Sequence, residues 1–254
     1  MSDKQSPISH NKVVLYVRSA IYWVWLTLNT LLMGGPVLLV SLFSFKKAYW
    51  LVMWWLRGNT YGLRLICGTG WKVDGIENIP KHATLVMSKH QSTWETFFVS
   101  QLLPTPVYVA KRSLSLIPIF GWALRTMKFI LIDRRGGRST VKQMVEQTRE
   151  RLADGGSVVV FPEGTRRPVG AEPAYRIGGA LVAEQTGADV LPVAVNSGEF
   201  WPRMSFIKWP GDITVSFGPV IKTEGKKADQ IIKEVEAWIE TRMDEITVVD
   251  RFPY

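Results

Sequence analysis

The chain has 254 residues, a formal charge of +9 and a single cysteine, Cys67. That length can bury a substantial core in one large domain or two small ones, and a lone thiol excludes an internal disulfide scaffold while suiting a reducing compartment. The charge is uneven: residues 1–73 hold eight Lys or Arg against Asp3 alone, which leaves the rest nearly balanced at +2.

In chain order, residues 1–12 read as a polar tail, 13–69 as an N-terminal membrane-associated helical segment, and 70–254 as an α/β domain. The first third carries Trp23, Trp25, Trp50, Trp54 and Trp55 among its cations, a mixture that nucleic-acid and membrane binding share. The distribution decides between them. A nucleic-acid surface needs cations within the aromatic segment, whereas Ser19–Phe45 has no charged residue and is only flanked by Arg18 and by Lys46-Lys47. Tryptophan near the ends of an apolar run, with cations just outside, describes a segment seated in a bilayer. Its 27 uncharged residues exceed the roughly 20 needed for a crossing. Gly34-Gly35-Pro36 interrupts the run, however, so the expectation is a break between two helices, forming a hairpin that either spans or dips into one leaflet.

Beyond Trp71 the pattern changes to short apolar runs separated by turns and helical stretches. Thr84–Met87, Val107–Ala110, Phe129–Ile132, Ser157–Phe161, Val190–Val195 and Ile213–Phe217 read as strands, several continuous and β-branched and hence buried on both faces. Thr93–Leu103, Ser139–Ala153 and Tyr175–Thr186 read as helices. Ala228–Ile246 is the clearest helix, with Ile231, Ile232, Val235, Trp238, Ile239 and Ile246 on one stripe. Alternating strands and helices predict a parallel or mixed sheet flanked by helices.

Three features carry chemistry. His90 follows an apolar strand, at the end of the strand where α/β sheets bind ligands, and Glu95 lies five residues on. The pair suits a general base and its orienting carboxylate. Ser92-Thr93-Trp94-Glu95 also matches a capping box, in which Glu95 would serve its own helix start, and spacing alone leaves both roles open. No Gly-x-Ser-x-Gly elbow is present, so the set does not read as a serine hydrolase. Phe161-Pro162-Glu163-Gly164-Thr165-Arg166-Arg167 follows a buried strand; Glu163 and Thr165 could bond glycerol-type hydroxyls there, Gly164 lets backbone approach a ligand, and Arg166 could hold a phosphate bidentately. Finally, Arg125, Lys128, Arg134, Arg135 and Arg138 form a basic block containing Asp133 as its only acid, and Lys111-Arg112 follows another strand. A basic run is usually a solvated face; a shared position at the strand ends would make it a phosphate pocket.

Together these residues resemble the glycerolipid acyltransferase family, in particular its bacterial 1-acylglycerol-3-phosphate (lysophosphatidate) members. The family's first block is a histidine followed after four residues by an aspartate, and here it reads His90-Gln91-Ser92-Thr93-Trp94-Glu95. Lys128-Phe129-Ile130-Leu131-Ile132-Asp133-Arg134 matches the second block incompletely, Phe161–Arg166 matches the third in full, and Leu191-Pro192-Val193 matches the fourth. Tyr108–Lys111 and Ile117–Trp122 resemble the family's segment between the first two blocks. The likeness extends over about residues 70–220. It implies a glycerol-3-phosphate acyltransferase-like fold, and acyl transfer from acyl-CoA or acyl carrier protein to the sn-2 hydroxyl of lysophosphatidate, giving phosphatidate for phospholipid synthesis. It further implies His90 as base, Glu95 as its orienter, Lys111, Arg134 and Arg166 as phosphate ligands, and Glu163, Gly164 and Thr165 around the acceptor. No metal or bound cofactor is implied, and the location implied is the cytoplasmic face of a bacterial inner membrane. Glu95 departs from the family's aspartate, and Lys128 and Leu131 depart from its second block. Glycerol-3-phosphate or another lyso-lipid as acceptor, and a non-catalytic protein binding anionic lipid, are the competing readings.

Overall fold

The computed structural model describes residues 11–133 and 136–248. Helix α1 (Lys12–Ser41) begins at Asn11, whose side chain accepts the Val13 N–H at 3.0 Å. Helix α2 (Phe45–Cys67) begins at Ser44, whose hydroxyl accepts the Lys47 N–H, and ends at Gly68 with φ of 75°. A left-handed C-terminal residue is where glycine replaces any other side chain at least strain.

The expected break at Gly34-Gly35-Pro36 does not occur. Helix α1 runs through it, and the chain reverses at Leu42–Ser44 instead. Pro36 removes one N–H from the helical ladder, a local loss within a 30-residue helix. Gly34 answers to packing: a Cβ there would lie 2.7 Å from Ile119 Cγ2. The helix pair is joined by polar contacts. Asn29 Nδ2 donates to Asn59 Oδ1 at 3.0 Å, Trp55 Nε1 to Thr30 Oγ1 at 3.2 Å, and Trp25 Nε1 to the Gly58 carbonyl at 3.0 Å. Small residues and side-chain hydrogen bonds at a helix contact, with apolar groups outward, suit a lipid-facing hairpin. By length and composition α1 could cross a membrane.

The sheet has seven strands in the order β1-β7-β6-β2-β5-β3-β4. They are β1 (Thr69–Asp74), β2 (Leu85–Ser88), β3 (Val107–Lys111), β4 (Ile130–Ile132), β5 (Val158–Val160), β6 (Val190–Val195) and β7 (Gly211–Phe217). The five strands β6, β2, β5, β3 and β4 run parallel, while β7 pairs antiparallel with β6 and parallel with β1. The sheet is therefore mixed, and the carboxyl ends of its five parallel strands share one edge. All six expected strands form. Strand β1 is an addition to them, because its Thr-Gly-Trp-Lys-Val-Asp sequence lacks a continuous apolar run.

Helices α5 (Gly137–Ala153), α6 (Gly178–Thr186) and α7 (Ala228–Ile246) cover one face, over a core that includes Leu85, Val158, Val182, Ile231 and Val235. The other face meets α3 (Trp94–Val99), α2 and the amino half of α1 around Trp94, Val159, Val193, Trp201 and Tyr22. Helix α3 is shorter than the expected 93–103, and α6 starts at Gly178 instead of Tyr175. A further helix, α4 (Phe120–Thr126), follows the 3-10 turn Arg112–Leu116.

The hairpin is keyed into the sheet domain by Lys208. Its side chain is fully buried, donates to the Ser205 and Phe206 carbonyls at 3.0 and 2.9 Å, and lies over the rings of Trp23 and Trp201. The Lys208 N–H donates to Ser19 Oγ in α1 at 2.9 Å.

Candidate active site

Strand β2 ends at Ser88, and the next two residues are fixed by its neighbours. The Lys89 N–H extends the ladder to the Val193 carbonyl at 2.9 Å. Both backbone groups of His90 are then taken by the loop after β5: its N–H donates to Glu163 Oε2 at 3.3 Å, and its carbonyl accepts the Arg167 N–H at 2.8 Å. The His90 ring stacks on Phe161, with centroids 3.7 Å apart and planes 10° from parallel. The Phe161–Arg167 stretch therefore holds His90 in position from beneath and from the side.

His90 Nδ1 lies 2.8 Å from Glu95 Oε1. The same oxygen accepts the N–H groups of Gln91 at 2.9 Å and Ser92 at 2.8 Å, and Oε2 accepts the Ser197 hydroxyl at 2.6 Å. The capping and orienting roles are thus not alternatives; one oxygen fills both. The glutamate arm is long enough to lean back over its own helix start and still meet the imidazole. Ser92 Oγ completes the turn by accepting the Trp94 N–H at 3.2 Å. A carboxylate at Nδ1 assigns the proton to that nitrogen and leaves Nε2 with the lone pair. Ser197 is the partner that sequence reading missed. It follows β6 by two residues and sits 102 positions from Glu95; its location at the shared strand edge is the only sequence signal it offers.

A cavity of about 510 Å³ reaches His90. Ser92, Thr93, Phe161, Arg166 and Lys111 line it with the histidine, as do Leu26, Met33, Val37, Val52 and Met53 of the hairpin. Arg166 Nη1 donates to Thr93 Oγ1 at 2.8 Å, which holds the guanidinium at the start of α3. Two of the three expected phosphate ligands, Lys111 and Arg166, thus share a cavity with the histidine. The third, Arg134, lies outside the described residues, as does Arg135. The remaining basic block diverges. Lys128 pairs with Asp154 at 3.0 Å, Arg125 donates to Ser115 Oγ, and Arg138 lines a separate cavity.

Glu163 departs from its expected role. Its carboxylate is buried, accepts from Lys89 Nζ at 3.1 Å and from the His90 N–H, and does not line the histidine cavity. Burial pushes this carboxyl above its ordinary range, and the Lys89 ammonium pulls it back down. Lys89 is shared with Glu240 of α7 at 2.7 Å, and Tyr175 donates to that same Glu240 oxygen at 2.6 Å. A cation at the end of an otherwise apolar strand was a visible signal for Lys89; Glu240 and Tyr175 carried none. Gly164, at φ of 69°, turns toward Arg176 and borders the other cavity, and Thr165 is half-buried in the same loop. Glu163 is therefore better described as support for the His90 loop than as an acceptor ligand.

That second cavity, about 690 Å³, lies on the opposite side of Phe161 among α5, α6 and the ends of β3, β4 and β5. It is the larger of the two but does not contain His90, so proximity to the base, not volume, identifies the site. Among the described residues no group of three His, Cys, Asp or Glu side chains is arranged to hold a metal ion.

Comparison with known proteins identifies the family. The acyltransferase family profile matches residues 70–196. The chain is 38% identical to the 1-acyl-sn-glycerol-3-phosphate acyltransferase of Pseudomonas aeruginosa, over 92% of this chain and 90% of that one. It is 30% identical to the chloroplastic 1-acyl-sn-glycerol-3-phosphate acyltransferase LPAT1 of Arabidopsis thaliana, over 84% of this chain and 59% of that one. The fold matches the crystal structure of the 1-acyl-sn-glycerophosphate acyltransferase of Thermotoga maritima with a TM-score of 0.78 and 23% identity, across 96% of this chain and 99% of that one. The chain is a member of the acyltransferase family to which the 1-acyl-sn-glycerol-3-phosphate acyltransferases belong.

Proposed function

We propose that this protein transfers an acyl chain from a thioester donor, acyl-CoA or acyl carrier protein, to the sn-2 hydroxyl of lysophosphatidate, at the cytoplasmic face of a bacterial inner membrane. The observation that carries the reading is a histidine backed by a buried carboxylate, lining an apolar cavity together with Arg166 and Lys111. His90 Nε2 takes the acceptor hydroxyl's proton as that oxygen attacks the thioester carbonyl. The C–O bond forms, the C–S bond breaks, and the proton passes from the imidazolium to the leaving thiolate. Glu95 holds the ring in the required tautomer and offsets its transient positive charge. Arg166 and Lys111 attract the acceptor's phosphate, Arg166 as a planar fork.

The apolar lining, with Met33, Val37 and Val52, accommodates an acyl chain, which both the thioester donor and a lyso-lipid acceptor carry. The names of the relatives point to lysophosphatidate as the acceptor. The test is thiol release from acyl-CoA and from acyl carrier protein, with a panel of lyso-lipids and glycerol-3-phosphate. His90→Ala is expected to lower turnover by ~10²–10⁴-fold with folding retained. A near-normal rate in that variant would sink the mechanism, and turnover confined to glycerol-3-phosphate would sink the acceptor.

A further inference from the structure

The segment running from the end of β3 through the first turn of α4 exposes a cluster of large apolar side chains. Leu116 is 76% exposed, Trp122 53%, Ile117 45% and Phe120 39%. This exposure is not on the hairpin, which accounts for most of the other exposed apolar groups, but on the sheet domain. The segment is nevertheless joined to the hairpin. Ile119 packs its Cγ2 where a Cβ on Gly34 of α1 would otherwise stand, and it does so from φ of 64°. A β-branched residue in that region is strained, and such strain persists only where the surroundings enforce it. Around this junction, α1 exposes Leu31, Leu32 and Leu39, so the apolar surface runs on from the helix to the loop.

The charge pattern names what this surface meets. No acidic residue occurs between Glu95 and Asp133, while Lys111 and Arg112 border the apolar stretch on one side and Arg125 on the other. Apolar and indole side chains flanked by cations match the boundary of an anionic bilayer. The same segment forms part of the wall of the histidine cavity: Leu114, Ile119 and Phe120 line it together with Met33, Gly34 and Val37 of α1. We propose that Leu114–Trp122 is a second membrane-inserted element. Together with α1 it frames a mouth through which lipid passes sideways between the bilayer and His90. The membrane contact stands apart from the proposed reaction; only the lipid traffic through the mouth rests on that reading.

The test uses the full-length protein in vesicles containing anionic phospholipid, with an environment-sensitive fluorophore on Leu116→Cys. Leu32→Cys on α1 and Lys233→Cys on α7 serve as the two references, and the unmodified chain checks for reaction at buried Cys67. Leu116 is so exposed that the substitution leaves the fold intact. The expected result is blue-shifted emission at 116, quenched by lipids spin-labelled on their acyl chains, with water-like emission at 233. Water-like, unquenched emission at 116 overturns the proposal whatever position 32 shows; it is also what a protein-docking surface would give. For the mouth itself, Leu116→Ser with Trp122→Ser is expected to raise KM for vesicle-borne acceptor about tenfold, equivalent to about 1.4 kcal/mol. It should leave KM for a monomeric short-chain acceptor unchanged. Equal KM on vesicles before and after substitution overturns the lipid path while leaving the chemistry of His90 intact.

Discussion

Replacing Glu95 by glutamine isolates what its negative charge contributes. The amide oxygen can occupy the Oε1 position and still accept from His90 Nδ1 and from the Gln91 and Ser92 N–H groups, now spaced at 2.8, 2.9 and 2.8 Å. The amide nitrogen then meets Ser197 Oγ, which can reverse from donor to acceptor. Helix capping and the histidine tautomer are both retained, so the fold should lose no more than about 1 kcal/mol, the difference between a charge-assisted and a neutral hydrogen bond. Turnover behaves differently. When His90 becomes imidazolium, opposite charges about 3–4 Å apart attract by about 4–5 kcal/mol at an effective dielectric of ~20. Part of that is replaced by the amide dipole, so a barrier increase of ~3–4 kcal/mol is expected, or ~10²–10³-fold in kcat. The assay is thiol release at saturating acceptor, paired with denaturant unfolding of the same preparation in detergent. A Glu95→Gln enzyme within about threefold of the native rate would refute the electrostatic role and leave Glu95 as a helix cap alone.

Other outcomes follow from single contacts. Ser197→Ala removes the donor to Glu95 Oε2; with one buried lone pair unanswered, kcat should fall about tenfold at constant acceptor KM, and an unchanged kcat would make Ser197 a packing residue only. Arg166→Ala should raise acceptor KM by ~10–100-fold, as expected for a lost charged hydrogen bond of ~1.5–3 kcal/mol, with kcat nearly intact. An effect confined to donor KM would move Arg166 to the other substrate. Burial lowers the Lys208 pKa to about 7, against about 10.4 in an unfolded chain. Between those values the unfolded state holds the extra proton, so stability rises with pH through this window and is lowest below it, at up to ~1.4 kcal/mol per pH unit. From about pH 7.5 to about pH 9, the native chain should therefore gain ~2 kcal/mol relative to Lys208→Met. Parallel profiles would mean that the Ser205 and Phe206 carbonyls and the two indole faces keep the ammonium charged into the alkaline range.

The sequence by itself determined the parts with local causes. β-branched apolar runs bounded by turns located six strands, and the stripe of Ile231, Val235 and Ile239 located α7 at its full extent. The uncharged run from Ser19 marked α1, a helix long and apolar enough to cross a membrane, and the stretch from His90 to Glu95 marked where a base and a carboxylate could meet. What it misjudged were residues whose purpose lies across the molecule. Gly34 and Pro36 looked like a helix break because local propensity counts only the lost hydrogen bond; the tertiary structure uses the missing Cβ to admit Ile119. Glu163 looked like a substrate ligand because a carboxylate in a glycine loop is normally solvated; Lys89, brought to it by the β2–β5 pairing, turns it inward. Only the tertiary structure could decide whether Glu95 capped or oriented, because the answer depended on the reach of its side chain and on Ser197, supplied from another strand end. Hydrophobic periodicity is written residue by residue along the chain, whereas the partner of a buried charge is fixed by which strand ends fold to the same edge.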